Sequence, residues 1–185
     1  MTTTVRTPAE TVASLGERAL IARIRERLGP PPSWLLVGPG DDAAIVERER
    51  NAHDVITTDA SVEGVHFNRE FVPAKAIGHR AVAANLSDLA AMGAEPRLIL
   101  LSLMLPPELP LVDFNDLVDG IVELCARHRV TVAGGNITRS PGTLIVDITA
   151  CGTARPRRHL LRTGARPGDL VFVSGSLGSG RAGPA

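Results

Sequence analysis

Aspartates lie beside turns and at the predicted ends of strands and helices. They are Asp41, Asp42, Asp59 and Asp88. Each of the first three fits a solvated turn or a cap. Asp88 stands among apolar residues near the C-terminal end of a predicted helix, where burial and the helix dipole both disfavour an anion. A cation beside the Asp88 carboxylate would offset both of these costs. Carboxylate oxygens without a His or Cys cluster favour Mg²⁺ over Zn²⁺, and Mg²⁺ is usually shared with substrate phosphates. The pattern therefore predicts a site for phosphate-bearing substrates.

Bulk charge and motif content exclude several classes of function. The 185 residues carry 20 basic and 20 acidic side chains, so the net field that would attract nucleic acid is absent. Lys75 is the only lysine, and no phosphate loop of the Gly-x-x-x-x-Gly-Lys type can be built around it. The longest apolar runs are far too short to span a membrane. Cys125 and Cys151 are far apart in apolar runs and no signal peptide is recognised, so we expect reduced thiols in a cytoplasmic protein.

Hydrophobic periodicity predicts a mixture of helices and strands. Helices are expected over about 8–28, 73–92 and from an N-cap at Asp113 through Cys125. Strands are expected over 43–47, 54–58, 97–105, 130–133, 144–151 and 170–173. The predicted fold class is α/β in the two-layer α+β sense, a mixed sheet flanked by helices. We divide the chain into an N-terminal helical segment (1–28), a domain (29–154) and the start of a second domain (155–185).

Several blocks of sequence, in this order, resemble the thiamine-monophosphate kinase family within the aminoimidazole-ribonucleotide-synthetase-like ATP-binding superfamily. The blocks are Gly-Asp-Asp-Ala-Ala at 40–44, Thr-Thr-Asp at 57–59 with Glu-Gly-Val-His-Phe at 63–67, Asn-Leu-Ser-Asp-Leu-Ala-Ala-Met-Gly-Ala at 85–94, Gly-Gly-Asn-Ile-Thr at 134–138 and Arg-Thr-Gly-Ala-Arg-Pro-Gly-Asp at 162–169. The resemblance covers about 17–178 and is with the N-terminal half of these kinases. The block at 85–94 is long and specific.

The resemblance implies ATP-dependent phosphorylation of thiamine monophosphate to thiamine diphosphate. It also implies Mg²⁺ and a homodimer whose N-terminal domains pair their sheets into a barrel. The acceptor is already an anionic phosphate, so no general base is needed, and catalysis comes from positioning and from metal neutralisation of charge. By position, the implied metal ligands are Asp42, Thr57, Thr58, Asp59, Asp88 and Asn136; the implied substrate contact is His66; the implied nucleotide contacts are Asp119, Gly135, Asn136 and Arg162.

The chain departs from the family pattern in one block and in its extent. Many members have Asp where this chain has Asn136, which keeps a carbonyl ligand but loses a charge, so we expect modestly weaker Mg²⁺ binding there. The family's C-terminal domain lies outside this sequence. Two alternatives stay open: a non-catalytic fragment that dimerises and binds Mg²⁺-nucleotide, and another ATP-using member of the superfamily. Among the latter, selenophosphate synthetase relies on a reactive Cys or Sec and a Lys near its start, which this chain lacks before Lys75.

Overall fold

The computed structural model describes residues 10–173, in which three α-helices and six β-strands are formed. The helices are α1 (Glu17–Arg25), α2 (Ala74–Ala91) and α3 (Leu111–Arg127), with a short 3₁₀ turn at Val12–Ser14 before them. The strands are β1 (Leu35–Val37), β2 (Ile45–Val46), β3 (His53–Val62), β4 (Glu95–Leu105), β5 (Thr131–Arg139) and β6 (Ile145–Ala154).

Four of the strands form one mixed sheet in the order β3-β6-β4-β5, which leaves β3 and β5 at the two edges. β6 is antiparallel to both β3 and β4, whereas β4 and β5 are parallel. Parallel neighbours require a crossover connection, and α3 provides it. β1 and β2 pair separately as a small two-stranded sheet. The predicted mixed sheet with flanking helices is confirmed.

One face of the four-stranded sheet is covered by α2 and α3, and we call it the helix face. Strand alternation sends every second side chain to this side, and the buried β4 residues Ile99, Leu101 and Leu103 belong to one hydrophobic cluster with core residues of α3 such as Phe114 and Leu117. The hydrophobic core therefore lies between the sheet and the helix pair.

The opposite side is the open face, which no helix in the described chain covers. At one end of it, Trp34, Leu35 and Ala44 from the β1–β2 region pack near Leu98 and Ala133. Elsewhere apolar side chains remain accessible to solvent: Ile56 is 67% exposed and Leu100 is 40% exposed. This face thus combines apolar and polar side chains without a covering layer.

The two helices approach each other so closely that glycine is required at the contact. A Cβ added to Gly78 would overlap the Leu117 carbonyl oxygen, and one added to Gly120 would overlap the Lys75 carbonyl oxygen. An exposed ion pair, Lys75 Nζ to Glu123 Oε1 at 2.6 Å, lies beside this contact. The position of α2 on the sheet is therefore determined partly by backbone contact with α3.

Several predicted boundaries were wrong. The first helix does not start near residue 8, because Gly16 separates the 3₁₀ turn from α1. α3 begins at Leu111 with Pro110 at the N-cap, so Asp113 lies in the first turn. β5 continues through 134–136, which places Gly135 and Asn136 inside a strand.

The end of the described chain also differs from the prediction. Residues 170–173 form no strand in the described part of the chain and are exposed, with no neighbouring strand to supply hydrogen bonds. Residues 1–9 and 174–185, within the predicted segments 1–28 and 155–185, lie outside the described residues. The three domain boundaries stay predictions.

We expect Gly120→Ala to destabilise the protein by about 2 kcal/mol, because the added methyl group forces α2 and α3 apart in a packed core. Urea denaturation followed by circular dichroism measures this loss. Gly142→Ala is the matched control, since nothing lies within 4 Å of its added Cβ. Equal stability of the two variants would contradict the close-packing argument.

Candidate functional site

Thr57 and Asp88 meet at the β3 edge of the helix face. The Thr57 hydroxyl donates a hydrogen bond to Asp88 Oδ2 at 2.9 Å, which links β3 to the C-terminal part of α2. Leu89, the next residue on α2, is fully buried and anchors this turn against the sheet. The carboxylate of Asp88 is exposed, so the expectation that it is buried was wrong, because its contact is with the edge strand β3 and not with the centre of the sheet.

Asp59 lies on the same face as Thr57, two residues further along β3. Its register partner on β6 is Ile148, which is buried beneath the helices, and register partners share a face of the sheet. Asp59 is exposed at the sheet edge. The helix-face group of Thr57, Asp59 and Asp88 therefore supplies hydroxyl and carboxylate oxygens that solvent can reach.

Thr58 points to the other side of the sheet, where it joins a second polar group. Its hydroxyl is 3.3 Å from Asp147 Oδ1 and 3.2 Å from the Ile148 carbonyl oxygen, and the Thr149 hydroxyl is 3.3 Å from it. Ser102 pairs in register with Asp147 on one side and with Asn136 on the other. The open-face group therefore consists of Thr58, Asp147, Ser102 and Asn136.

Asp147 is a residue that the sequence reasoning missed. It occupies the polar phase of the alternating run 144–150, between the buried Val146 and Ile148. A single carboxylate in that phase of a predicted core strand was the signal that could have identified it, because the strand pattern already separated the two faces.

Asp42 is carried by a loop on the β5 side of the sheet. Gly40 has a φ of +124°, which favours glycine, and an added Cβ there would lie 2.9 Å from Arg25 Nη1. Ala44 approaches Gly134 of β5, with its Cβ 3.9 Å from the position of an added Gly134 Cβ. The Asp42 loop and the helix-face group of Thr57, Asp59 and Asp88 thus lie toward opposite edges of the sheet.

No three acidic, His or Cys side chains within residues 10–173 come close enough together to hold a metal ion. The chemistry of the helix-face group nevertheless fits a hard cation. The group offers one hydroxyl and two accessible carboxylates, and it contains no nitrogen or sulfur ligand. The metal-ligand assignments of Asp42, Thr57, Thr58, Asp59, Asp88 and Asn136 stay predictions.

The loop that carries His66 is held by a backbone hydrogen bond to His66 and by the carboxylate of Glu63. The backbone N–H of Val62 donates to His66 Nδ1 at 3.1 Å. Glu63 accepts hydrogen bonds from Arg69 Nε at 2.7 Å and from the backbone N–H of Leu144 at 3.0 Å. Burial alone would raise the pKa of Glu63, but the hydrogen bonds from Arg69 and Leu144 and the charge of Arg69 together lower it. Glu63 therefore fastens the exposed His66 loop to the start of β6.

The predicted nucleotide contacts are spread over separate places. Asp119 on α3 accepts a hydrogen bond from Arg27 Nε at 2.6 Å, which couples it to the end of α1. A Cβ on Gly135 would overlap the Leu101 carbonyl oxygen, so close strand packing is sufficient to require glycine there. Arg162 is exposed in the segment after β6, and the structure does not bring it into contact with the other predicted site residues. Their nucleotide roles stay predictions.

Residues 40–154 match the family model described as AIR synthase related protein, N-terminal domain. The chain belongs to this family. No helix in residues 10–173 has the length and apolar character needed to cross a membrane.

Individual relatives and solved structures point to one group within the family. The chain is 35% identical over 147 residues to the thiamine-monophosphate kinase of Bacillus subtilis (strain 168), covering 80% of this chain and 45% of that protein. It resembles the crystal structure of thiamine-monophosphate kinase from Stenotrophomonas maltophilia K279a with a TM-score of 0.66 and 40% identity, covering 79% of this chain and 45% of that one.

A further similar structure is a complex with two ligands. It is AaThiL complexed with AMPPCP and TMP, with a TM-score of 0.59 and 32% identity, covering 89% of this chain and 48% of that one. The chain spans about half the length of the curated relatives that it matches. The resemblance to thiamine-monophosphate kinases that the sequence motifs indicated is confirmed.

We expect Glu63→Gln to lower the free energy of unfolding by about 1.5 kcal/mol at neutral pH, because charge-assisted hydrogen bonds are lost. The folded pKa of Glu63 is lowered, so its stabilisation is present above the unfolded value of about 4.3 and is lost as pH falls through the folded value. Denaturation at several pH values should show the two proteins converging below about pH 4.

The control for this prediction is Glu47→Gln, which replaces an exposed carboxylate that follows β2 and lies outside any helix. We expect this variant to follow the unchanged protein at every pH. A stability difference for Glu63→Gln that stays constant from pH 7 to pH 3 would show that the carboxylate charge is not what holds the loop.

Proposed function

We propose that this chain provides the N-terminal, metal-binding half of a thiamine-monophosphate kinase, which transfers the γ-phosphoryl group of ATP to thiamine monophosphate. The observation that carries the proposal is the similarity to thiamine-monophosphate kinases, one of them solved with AMPPCP and TMP, over most of this chain. Residues 29–154 are the proposed ATP-binding and Mg²⁺-binding domain, and 155–185 the proposed start of the second. We place the enzyme in the cytoplasm, in keeping with its two free thiols.

The chemistry of this reaction matches the kinds of residue present. The attacking group is a phosphate oxygen that is already anionic near neutral pH, so the chain needs no nucleophile–base pair. The proposed role of Thr57, Asp59 and Asp88 is to hold and orient Mg²⁺ with oxygen ligands. When bound, Mg²⁺ supplies charge neutralisation between two anions that would otherwise repel each other. His66 and Arg162 are the proposed contacts to thiamine monophosphate and to ATP.

A homodimer is part of the proposal because one described chain holds its candidate ligands apart. Asp42 and Asn136 belong to the β5 side, whereas Asp59 and Asp88 belong to the β3 edge. Four strands at about 4.8 Å spacing separate the two edges by roughly 14 Å. A second copy packed on the open face, with the two sheets forming a barrel, would cover Ile56 and Leu100. It would also bring the β3 edge of one copy toward the β5 edge of the other.

The alternatives differ in what they require. A non-catalytic fragment that only dimerises and binds Mg²⁺-nucleotide is favoured by the half-length coverage of the relatives. Another ATP-using member with a reactive thiol finds less support. Burial raises the pKa of the Cys125 thiol to about 12, and burial followed by the Asp54 charge raises that of Cys151, so neither thiol is activated.

We expect thiamine diphosphate to form when ATP, Mg²⁺ and thiamine monophosphate are supplied to this chain extended along its reading frame. The 185-residue chain alone should bind ATP only when Mg²⁺ is present, since it carries the proposed metal ligands but about half the length of the relatives. Chromatographic detection of thiamine diphosphate and equilibrium dialysis of ATP measure the two results. Binding without product from the extended chain would favour the non-catalytic alternative.

We expect Asp88→Asn to weaken Mg²⁺-dependent ATP binding at least tenfold, because the carboxylate is lost from a site that depends on charge. The fold should be retained, since Asp88 is exposed. Isothermal titration calorimetry measures the affinity, and Ser87→Ala, an exposed neighbour on the same turn, is the control. A variant that is folded and binds with unchanged affinity would remove Asp88 from the metal site.

A further inference from the structure

Asn85 is a fully buried polar residue with one side-chain atom left without a partner. Its Nδ2 donates to the Ala81 carbonyl oxygen at 3.0 Å, while Oδ1 is the one buried side-chain oxygen or nitrogen in the described chain without a hydrogen-bond partner. Buried polar atoms are almost always paired, so such an atom calls for a specific explanation. Leu or Ala at this position on α2 would avoid the cost.

Asn85 lies on the part of α2 that faces the strands next to the helix-face group. α2 follows β3 through the loop at 63–73 and returns antiparallel to it, so α2 runs in the same direction as β6. Leu89 Cδ1 lies 3.3 Å from the position of an added Cβ on Gly152. One helical turn from Leu89 toward the start of α2 covers about 5.4 Å. This is close to the distance of about 6.6 Å that two residues cover from Gly152 toward the start of β6. This brings Asn85 to the level of Ala150, the register partner of Thr57.

The Thr57 hydroxyl has a single hydrogen, and in this structure it is given to Asp88 Oδ2. A hydroxyl oxygen that turns its lone pairs toward a cation must direct its hydrogen away from that cation. A carboxylate oxygen already engaged by the cation is then a poor acceptor. An acceptor on the buried side of β3 would take this hydrogen and leave both Asp88 oxygens free for the cation.

We infer that Asn85 is a positioning residue for the Thr57–Asp88 pair, whose buried Oδ1 accepts the Thr57 hydroxyl hydrogen when a divalent cation occupies the helix-face group. The inference rests on the proposed metal-binding function. It explains why α2 keeps an unpaired carbonyl in its core three residues before Asp88. The free protein carries the unsatisfied atom, and metal binding satisfies it.

The test is Mn²⁺ binding to the 185-residue chain, measured by electron paramagnetic resonance, together with the thermal unfolding midpoint without metal. Asn85→Leu should bind Mn²⁺ roughly tenfold more weakly, as expected for loss of a group that orients a metal ligand. Its midpoint without metal should be equal or higher, because an apolar side chain replaces an unsatisfied polar one. A purely structural role for Asn85 would lower the midpoint and leave the affinity unchanged.

Further variants make the result decisive. Thr57→Val should weaken Mn²⁺ binding, and adding Asn85→Leu to it should cause little further loss, because the two residues act as one unit. Ser87→Ala should leave binding unchanged. If Asn85→Leu does not fold, Asn85→Ala repeats the measurement. Absence of Mn²⁺ binding by the unchanged chain overturns the proposed metal site and this inference with it. Equal affinity of the unchanged chain and the Asn85 variant overturns the inference alone.

Discussion

The backbone contact between α2 and α3 is the constraint on which the rest of the arrangement depends. Gly78 and Gly120 let the two helices approach until carbonyl oxygens of one lie against the glycines of the other. α2 is then fixed on its second side by Leu89, which packs beside Gly152 near the C-terminal end of β6. With α2 held from both sides, Asp88 reaches the edge strand and accepts the Thr57 hydrogen bond.

The polar residues are divided between the two faces of the sheet, and this division limits which donor groups a single chain can bring together. Thr57 and Thr58 are adjacent in sequence, but strand alternation sends one to the helix face and the other to the open face. Thr57 meets Asp88, whereas Thr58 meets Asp147. A reaction between two phosphate anions needs positive charge between them. Separated donor groups are consistent with a site that is completed by further protein, as the proposed homodimer supplies.

Much of the secondary structure could be predicted from local pattern. α2, β4 and β6 follow clear periodicity, and their observed bounds lie close to the predicted ones. The errors arose where residue type and context conflict. The Gly134-Gly135 pair looked like the end of a strand, yet β5 continues through it, because the parallel neighbour β4 comes too close to Gly135 for any side chain. The apolar run at 170–173 looked like a strand but has no neighbour in the described chain.

The sequence by itself indicated the family, through acidic motifs in a specific order, and it predicted Mg²⁺ chemistry from oxygen ligands without a nucleophile–base pair. It also determined the two faces of each strand, because the period of alternation is a local property. The tertiary structure decided the rest. The strand order β3-β6-β4-β5 depends on long-range pairing that no local pattern encodes. That order places Asp59 and Asn136 at opposite edges, while the packing of α2 exposes Asp88 and leaves Asn85 Oδ1 unpaired in the core.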